Sequence, residues 1–225
     1  PVKQGGQYGV TVLTHPSSPR QLCEVTGGGT GTVGNADVTN VVVDCYPAFT
    51  IGGTVTGLKG SGLVLQNNAA NDLTISAGAT SFTFSKPVTD GDYTLTIFDQ
   101  PGEPRQECKY IDPADSLLKD SVLIAVAGGD IIDLEVSCID IFTIGGTVTG
   151  LGASAQLTLQ NNSGDDLKIT KDGNFVFSGT LENGAGYDVT LPASPADQFC
   201  ERYNATGNVL GNDVTNIIID CALLA

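Results

Sequence analysis

The chain has 225 residues, and 40% of them are hydrophobic, which is enough apolar material to build packed cores. It carries 10 Lys and Arg against 25 Asp and Glu, a formal net charge of -15, so it would repel nucleic-acid phosphates and anionic lipid. No stretch approaches the roughly 18 uninterrupted apolar residues of a membrane helix. We therefore expect neither nucleic acid as a partner nor membrane insertion, and we interpret the acidity as a source of solubility outside the cell.

Strands are predicted along the chain because apolar residues alternate with polar ones, the period of a strand with one buried face. In the block that begins at residue 49 the alternating apolar residues are Phe49, Ile51, Val55, Leu63, Leu65, Leu73, Ile75, Phe82, Phe84, Tyr93, Leu95 and Ile97. Gly and Asn tolerate positive φ, so turns are predicted at Gly52-Gly53, Asn67-Asn68 and Asp90-Gly91. No convincing amphipathic helix is found; the nearest candidate is 113–126, which opens on a proline.

A repeat organises the chain, because FTIGGTVTGL occurs at residues 49–58 and again at 142–151, a spacing of 93 residues (142 minus 49). Cys45 and Cys138 are also 93 residues apart (138 minus 45), so the register is kept. The fold class that these patterns predict is all-β: tandem immunoglobulin-like antiparallel β-sandwiches with one disulfide per repeat.

Three blocks follow from this repeat. Residues 1–45 match only the second half of a repeat, so we predict an incomplete first unit that lacks its opening strands. The second sandwich is predicted at 46–138, with an insertion near 111–127 that has no counterpart elsewhere. The third is predicted at 139–225, with a short tail at 222–225. Bare sheet edges in the first block would invite strands from other residues.

The six cysteines fall at two matching positions per block. Because each repeat must be able to close on itself, we predict the pairs Cys23 with Cys45, Cys108 with Cys138, and Cys200 with Cys221. Each bond would stabilise its unit by roughly 3 kcal/mol in the chain-entropy model. Disulfides indicate an oxidising, extracellular location, although the opening PVKQGGQYGV contains no signal peptide. A zinc site is disfavoured, since no C-x-x-C occurs and His15 is the only histidine.

These motifs resemble known proteins. The IGGTVTGL opening, the L-x-LQNN hairpin and the closing DVTN-x-x-x-DC are similar to the tandem repeats of bacterial secreted proteins and surface lipoproteins. The first half of each unit also resembles the prealbumin-like sandwiches of surface adhesins and pilins. The resemblance implies an extracellular sandwich array and carries over no catalytic residue. The opening strand GGTVTGL has no lysine, so the isopeptide bond of some pilin sandwiches is not expected.

Candidate chemical sites are few, and we expect no catalytic residue and no cofactor. His15 aligns with plain turn residues of the other blocks, and Asp165 and Asp166 lie in a predicted turn, where Asp is favoured for backbone reasons. Two turns are weak candidates for calcium binding, because each has several Asn and Asp oxygens close together in sequence. The spacing of these residues is not that of an EF-hand. Their residues are Asn67, Asn68, Asn71, Asp72, Asn161, Asn162, Asp165 and Asp166. The sequons at 161–163 and 204–206 could accept glycans.

Two classes of function remain. The first is a non-enzymatic extracellular structural protein that forms a filament, rod or stalk. Its partners would be copies of itself or further repeats of a longer chain, joined by strand addition, in which one subunit adds a β-strand to the sheet of another. The second is an adhesin or glycan-binding module that uses loops at one end of a sandwich. Exposed aromatic side chains would favour the second class, because sugar sites use aromatic platforms.

Overall fold

A computed structural model describes residues 1–224, and within them it contains strands and no helix. Residues 1–224 accordingly include no helix able to span a membrane. The strands in chain order are β1 (Gln7–Gly9), β2 (Gln21–Gly27), β3 (Thr30–Thr32), β4 (Val42–Pro47), β5 (Ile51–Thr56), β6 (Leu63–Asn67), β7 (Asn71–Ile75), β8 (Ser81–Thr83), β9 (Gly91–Asp99), β10 (Gln106–Ile111), β11 (Leu118–Lys119), β12 (Ser121–Val126), β13 (Ile131–Thr149), β14 (Leu157–Asn161), β15 (Gly164–Ile169), β16 (Gly173–Glu182), β17 (Gly186–Ala193), β18 (Gln198–Tyr203), β19 (Thr206–Asn208) and β20 (Val214–Leu223).

The chain forms two compact units. Unit 1 contains Pro1–Pro101 and Cys108–Cys138, and unit 2 contains Gly102–Glu107 and the residues from Ile139 onward. The long strand β13 contributes its residues up to Cys138 to unit 1 and its later residues to unit 2.

Unit 1 contains a two-sheet sandwich over a single apolar core. One sheet has the order β11-β10-β13-β5-β8, and the other has the order β12-β9-β6-β7. The alternating residues of both sheets supply the core, including Ile51, Leu65, Leu95 and Val136, each fully buried. Alternation in the sequence thus becomes alternation between core and solvent, as expected for sheets with one covered face.

Unit 2 repeats this arrangement. Its sheets have the orders β18-β20-β13-β16 and β15-β14-β17-β19, and its core includes Ile144, Leu159, Val189 and Ile219. The pairing differs from the prediction of a purely antiparallel sandwich. In each unit the opening strand and the closing strand run parallel: β5 beside the first part of β13, and the later part of β13 beside β20. Parallel neighbours need no tight turn here, because the remaining strands of the unit connect them.

Residues 1–47, which we call the N-terminal segment, form only two small ladders. β1 pairs with β3, and β2 pairs with β4. The β1–β3 ladder matches the β17–β19 ladder of unit 2, and the β2–β4 ladder matches the β18–β20 ladder. In the first pair of ladders a tyrosine ring covers the glycine opposite it, Tyr8 over Gly31 and Tyr187 over Gly207. No residue of the N-terminal segment is buried. The segment therefore has the second half of a sandwich and no core of its own.

One local prediction is wrong: the turn predicted at Gly52 and Gly53, because both glycines lie inside strand β5. In the region 113–126, residues 113–115 form a turn closed by the Ser116 amide donating to the Asp112 carbonyl at 2.8 Å, and the strands β11 and β12 follow it. β12 pairs with β9 as β19 pairs with β17, and the insertion near 111–127 stays a prediction. The turn predicted at Asn67 and Asn68 is confirmed, since β6 ends there and Asn68 has φ 49°.

Candidate functional site

The N-terminal segment exposes apolar side chains whose counterparts are buried elsewhere in the chain. Val43 is 48% exposed, whereas Val136 and Ile219, which also lie two residues before a unit's last cysteine, are 0% exposed. Val10 is 40% exposed, and the matching residues Leu95 and Val189 are 0% exposed. Complete burial of a valine side chain stabilises by about 1.5–3 kcal/mol, so roughly half of that is unrealised at each valine. Both valines are therefore exposed where the matching residues of the two sandwiches are buried.

Strand β4 also has an unpaired edge. In residues 1–224 its only ladder is with β2, whereas the matching strands of both units have a second, parallel neighbour. In unit 1 that neighbour is β5, and in unit 2 it is the later part of β13; both carry the sequence IGGTVT. An unpaired edge presents backbone N–H and C=O groups that another strand can bind.

The two glycines of the opening strand make close contacts with both of its neighbours. A Cβ on Gly53 would lie 2.0 Å from the Leu134 carbonyl oxygen, and a Cβ on Gly146 would lie 1.9 Å from that of Ile217. On the other side, a Cβ on Gly52 would lie 2.6 Å from the Phe82 carbonyl oxygen. These distances exclude any side chain, which explains why both glycines lie inside a strand.

A third glycine ends the opening strand in each unit. Gly57 and Gly150 both have φ +73°, and a Cβ on either would come within 2.2 Å of the carbonyl oxygen of Cys138 or Cys221. The carbonyl contacted is in both cases that of the last cysteine of the unit. The spacing G-G-x-x-x-G is therefore a steric requirement of pairing with the closing strand.

An aspartate anchors the start of the opening strand. The Thr50 amide donates to Asp130 Oδ1 at 2.6 Å, and the Thr143 amide donates to Asp213 Oδ1 at 2.7 Å. Both aspartates lie eight residues before the last cysteine of their unit (138 minus 130, 221 minus 213). The residue at this position in the N-terminal segment is Asp37 (45 minus 37), which is exposed. The sequence predictions missed this group, although its fixed distance from the cysteine is visible in all three blocks.

An arginine accompanies each anchoring aspartate. Arg20 lies 3.7 Å from Asp130 and also hydrogen-bonds to Thr50, and Arg105 lies 3.9 Å from Asp213. The four side chains of these ion pairs are about half exposed. Exposed ion pairs contribute about 0–1 kcal/mol, so the arginines are a minor source of stability here. Arg105, Asp213 and Phe142 also line a cavity of about 600 Å³ in unit 2.

Three disulfides join neighbouring strands: Cys23 to Cys45, Cys108 to Cys138, and Cys200 to Cys221. Cys23 lies directly opposite Cys45 in the β2–β4 ladder, and Cys200 lies directly opposite Cys221 in the β18–β20 ladder. Each bond therefore holds the closing strand to the strand before it in the sheet. In the N-terminal segment, where no residue is buried, the Cys23–Cys45 bond is the covalent restraint on its larger ladder.

The oxygen-rich turns considered for calcium use their side chains in hydrogen bonds. Asn68 accepts from the Thr94 amide at 2.8 Å, Asp72 accepts from Gln66 at 2.6 Å, and Asp166 accepts from Gln160 at 2.7 Å. The Oδ1 atoms of Asn67 and Asn161 are buried and have no hydrogen-bond partner. One orphan oxygen in each turn is far from the six to eight oxygens that calcium takes. No group of three or more His, Cys, Asp or Glu side chains within residues 1–224 could hold a metal.

The residues considered for catalysis are separated. The Asp165 carboxylate accepts from the Ser178 hydroxyl at 2.5 Å and the Gly179 amide at 2.8 Å, and Asp166 is bound by Gln160. Neighbouring residues of a strand project to opposite faces, so these carboxylates do not flank one bond. His15 Nδ1 accepts from the Cys23 amide at 3.0 Å, which makes it a loop residue that supports β2.

Two local environments change pKa values in unit 1. Lys119 donates to both Asp112 and Asp115, which lowers the pKa of each carboxyl and raises the pKa of Lys119. All three groups are at the surface of the stretch before β12. Tyr110 is fully buried, and its hydroxyl has no hydrogen-bond partner. Burial raises the pKa of Tyr110 well above its ordinary value.

Exposed aromatic side chains lie on strands and beside an open cleft. Phe199 and Tyr203 are 58% and 48% exposed on the outer face of β18, with Glu201 between them accepting from the Tyr203 hydroxyl. In unit 1, Tyr46 and Leu22 line a cleft of about 580 Å³ together with Thr89 and Asp90.

Comparison with known proteins leaves the family open. No protein-family model matches the chain, and no curated protein sequence matches it. Among solved structures, the Bacillus anthracis TIE protein is 14% identical over 91% of this chain and 42% of its own length, with a TM-score of 0.29. The C-terminal fragment of the pilus adhesin SpaC from Lactobacillus rhamnosus GG is 12% identical over 79% of this chain and 98% of its own, with a TM-score of 0.33. The minor pilin of Streptococcus agalactiae is 11% identical over 79% of this chain and 97% of its own length, with a TM-score of 0.30.

The chain thus spans less than half the length of the Bacillus anthracis protein. All three TM-scores are low, so the likenesses carry no conclusion about function. Within residues 1–224 the chain's own geometry defines its class: an all-β protein with several sheets and three disulfides.

Proposed function

We propose that the protein is a non-enzymatic structural protein outside the cell, built from tandem β-sandwich repeats with one disulfide each, and that it forms a filament, rod or stalk. Strand addition to the N-terminal segment completes the first repeat. The blocks are residues 1–45, 46–138 and 139–225, and the partners are further repeats or copies of the chain.

One observation carries this proposal: the N-terminal segment keeps the closing strands and the disulfide of a repeat without its opening strands. Val10 and Val43 are exposed there, where the corresponding side chains of both units are buried. Apolar core positions and a bare parallel edge on the same segment support a surface that is covered in the assembled protein.

The compartment and the absence of catalysis are supported separately. Three disulfides favour an oxidising, extracellular location, because thiols in the cytosol are kept reduced. A formal charge of -15 keeps such a surface protein soluble. Replacing His15, Asp165 and Asp166 together with alanine should leave the biological activity intact at unchanged folding, and a large loss would point to a catalytic or metal-binding role for them.

The test of the assembly uses chain 1–225 produced in an oxidising compartment. Amide exchange should be fast throughout residues 1–47 in a monomer, or the chain should associate into rods or filaments visible by electron microscopy. The internal control is the amide exchange of residues 131–138, because this closing strand has the parallel neighbour that β4 lacks. A stable monomer with residues 1–47 fully protected would refute the proposal.

A second function, glycan binding, is favoured by the exposed aromatics. Phe199 and Tyr203 are exposed at alternate positions of β18 with Glu201 between them, a combination that suits a sugar ring and its hydroxyls. This surface is a strand face, whereas the sequence indicated loops. Binding to a glycan array that is lost in Phe199→Ala and Tyr203→Ala but kept in Phe98→Ala would support it. Equal binding by all variants would exclude this surface.

A further inference from the structure

We propose that the open edge of β4 binds a parallel strand of the pattern Thr-Ile-Gly-Gly-x-x-x-Gly, supplied by residues of the same polypeptide that precede Pro1. The inference rests on the proposed function, and it names the segment that completes the first repeat, its direction and its register.

The register follows from the two complete pairs. Ile51 pairs with Ile131 and Gly53 with Leu134 in unit 1, and Ile144 pairs with Val214 and Gly146 with Ile217 in unit 2. Measured back from the last cysteine, these partners lie seven and four residues before it (138 minus 131 and 134, 221 minus 214 and 217).

The same positions in the N-terminal segment are Val38 and Val41 (45 minus 38 and 41). The incoming isoleucine therefore pairs with Val38, and the second incoming glycine pairs with Val41. Val43 then pairs with the incoming residue that corresponds to Val55, as Val136 pairs with Val55 in unit 1.

Three contacts select this segment over other extended peptides. The second glycine must pass against the Val41 carbonyl oxygen, since its counterparts leave only 1.9–2.0 Å for a Cβ. The last glycine must pass against the Cys45 carbonyl oxygen in the same way. The incoming threonine amide donates to Asp37, as Thr50 and Thr143 donate to Asp130 and Asp213.

A second copy of the described chain is a poor donor. Both of its segments with this pattern are already paired, β5 with the first part of β13 and the later part of β13 with β20. Releasing either one would open a finished core. In both units, moreover, the opening strand precedes its closing strand in the chain, which favours a donor that precedes β4.

The repeat also supplies the experiment. Pro1 corresponds to Pro87, and Tyr8 lies seven residues after Pro1 where Tyr93 lies six after Pro87 (8 minus 1, 93 minus 87), so a copy of residues 49–86 placed directly before Pro1 keeps the native spacing to within one residue without a linker. In this extended chain, amide exchange of residues 38–45 should slow by about a hundred-fold or more, as expected when an edge strand becomes internal. A copy with Gly53→Ala should lose this protection, whereas Thr54→Ala, an exposed neighbour in the same strand, should keep it.

Each outcome decides a different point. No added protection, or equal protection with Gly53→Ala and Thr54→Ala, overturns the strand or its register. Protection that appears only together with self-association, measured by light scattering, shows that the strand comes from a neighbouring chain. That result overturns the proposal that the same polypeptide supplies the strand. If residues 1–47 are already protected from amide exchange in chain 1–225 without the added copy, the proposed function fails as well. If they exchange fast there, the proposed function stands even when the extended chain shows no added protection.

Discussion

The close approach of Gly146 to the Ile217 carbonyl predicts a large effect of a small substitution. In Gly146→Ala the new Cβ would lie 1.9 Å from the Ile217 carbonyl oxygen and 2.6 Å from its carbon. Ordinary C···O contacts are about 3.3 Å or longer, so β13 and β20 must separate by about 1.4 Å. The obstacle is backbone, and no side-chain rotation relieves it.

The cost follows from what the separation breaks. Losing two ladder hydrogen bonds costs about 1–3 kcal/mol, and disturbing the core beneath costs about 1–3 kcal/mol more. We expect Gly146→Ala to lower the free energy of unfolding of unit 2 by about 3 kcal/mol. For a domain of this size that lowers Tm by about 12–24 °C in calorimetry.

The control is Gly164→Ala, because a Cβ at Gly164 has no heavy atom within 4 Å. It should leave the transition of unit 2 nearly unchanged, and Gly53→Ala should lower the transition of unit 1 instead. If Gly146→Ala unfolds within about 1 kcal/mol of Gly164→Ala, the close parallel pairing is wrong, and the register inferred for β4 loses its basis.

Three further predictions concern bonds and charges. Non-reducing peptide mapping should recover only the three pairs within blocks, and any pair between blocks would contradict the repeat. Lys119→Ala should raise the lowered pKa values of Asp112 and Asp115 toward about 3.9, measured by NMR titration. Because those carboxyls titrate lower in the folded state, their stabilisation is present above the ordinary carboxyl pKa and is lost as pH falls through the lowered values; an unchanged titration would exclude the contact. Tyr110→Phe should leave stability unchanged or raise it by about 1 kcal/mol in urea unfolding, since it removes an unpaired buried hydroxyl, and a marked loss would reveal a partner for it.

The strands were predictable because their signal is local. Phe82 and Phe84 flank the polar Thr83, and both are buried as the period requires. The pairing partner of a strand leaves no such mark, so the parallel neighbours were missed. The pair Gly52-Gly53 was misread for the same reason: glycine serves both a turn and a close approach between strands, and only the neighbouring carbonyls distinguish them.

The candidate site was predictable in outline and not in detail. Comparison of the blocks predicts that residues 1–45 lack opening strands; this stays a prediction, and the proposal made from it uses the exposed Val10 and Val43. The role of Asp37 was not predicted, because an aspartate before a strand is common in turns. Its role emerges only when Asp130 and Asp213 are seen to accept a threonine amide across 80 and 70 residues of sequence.

The arginine beside each aspartate also takes part in a backbone hydrogen bond. The Arg20 and Arg105 carbonyls accept from the Ala48 and Ile141 amides at 3.1 and 3.2 Å, and the same backbone bond persists where the residue is Asp197, which accepts from Leu224 at 2.9 Å. The backbone bond therefore does not need the arginine.

The charge at this position should matter through repulsion. Arg105→Ala should lower the stability of unit 2 by less than about 1 kcal/mol, because the ion pair with Asp213 is half exposed. Arg105→Asp should cost more, since it sets a second carboxylate beside Asp213, and the excess should disappear in about 1 M salt, where the Debye length is only ~3 Å. Equal stability of the two variants at low salt would show that the charge at this position does not act on Asp213.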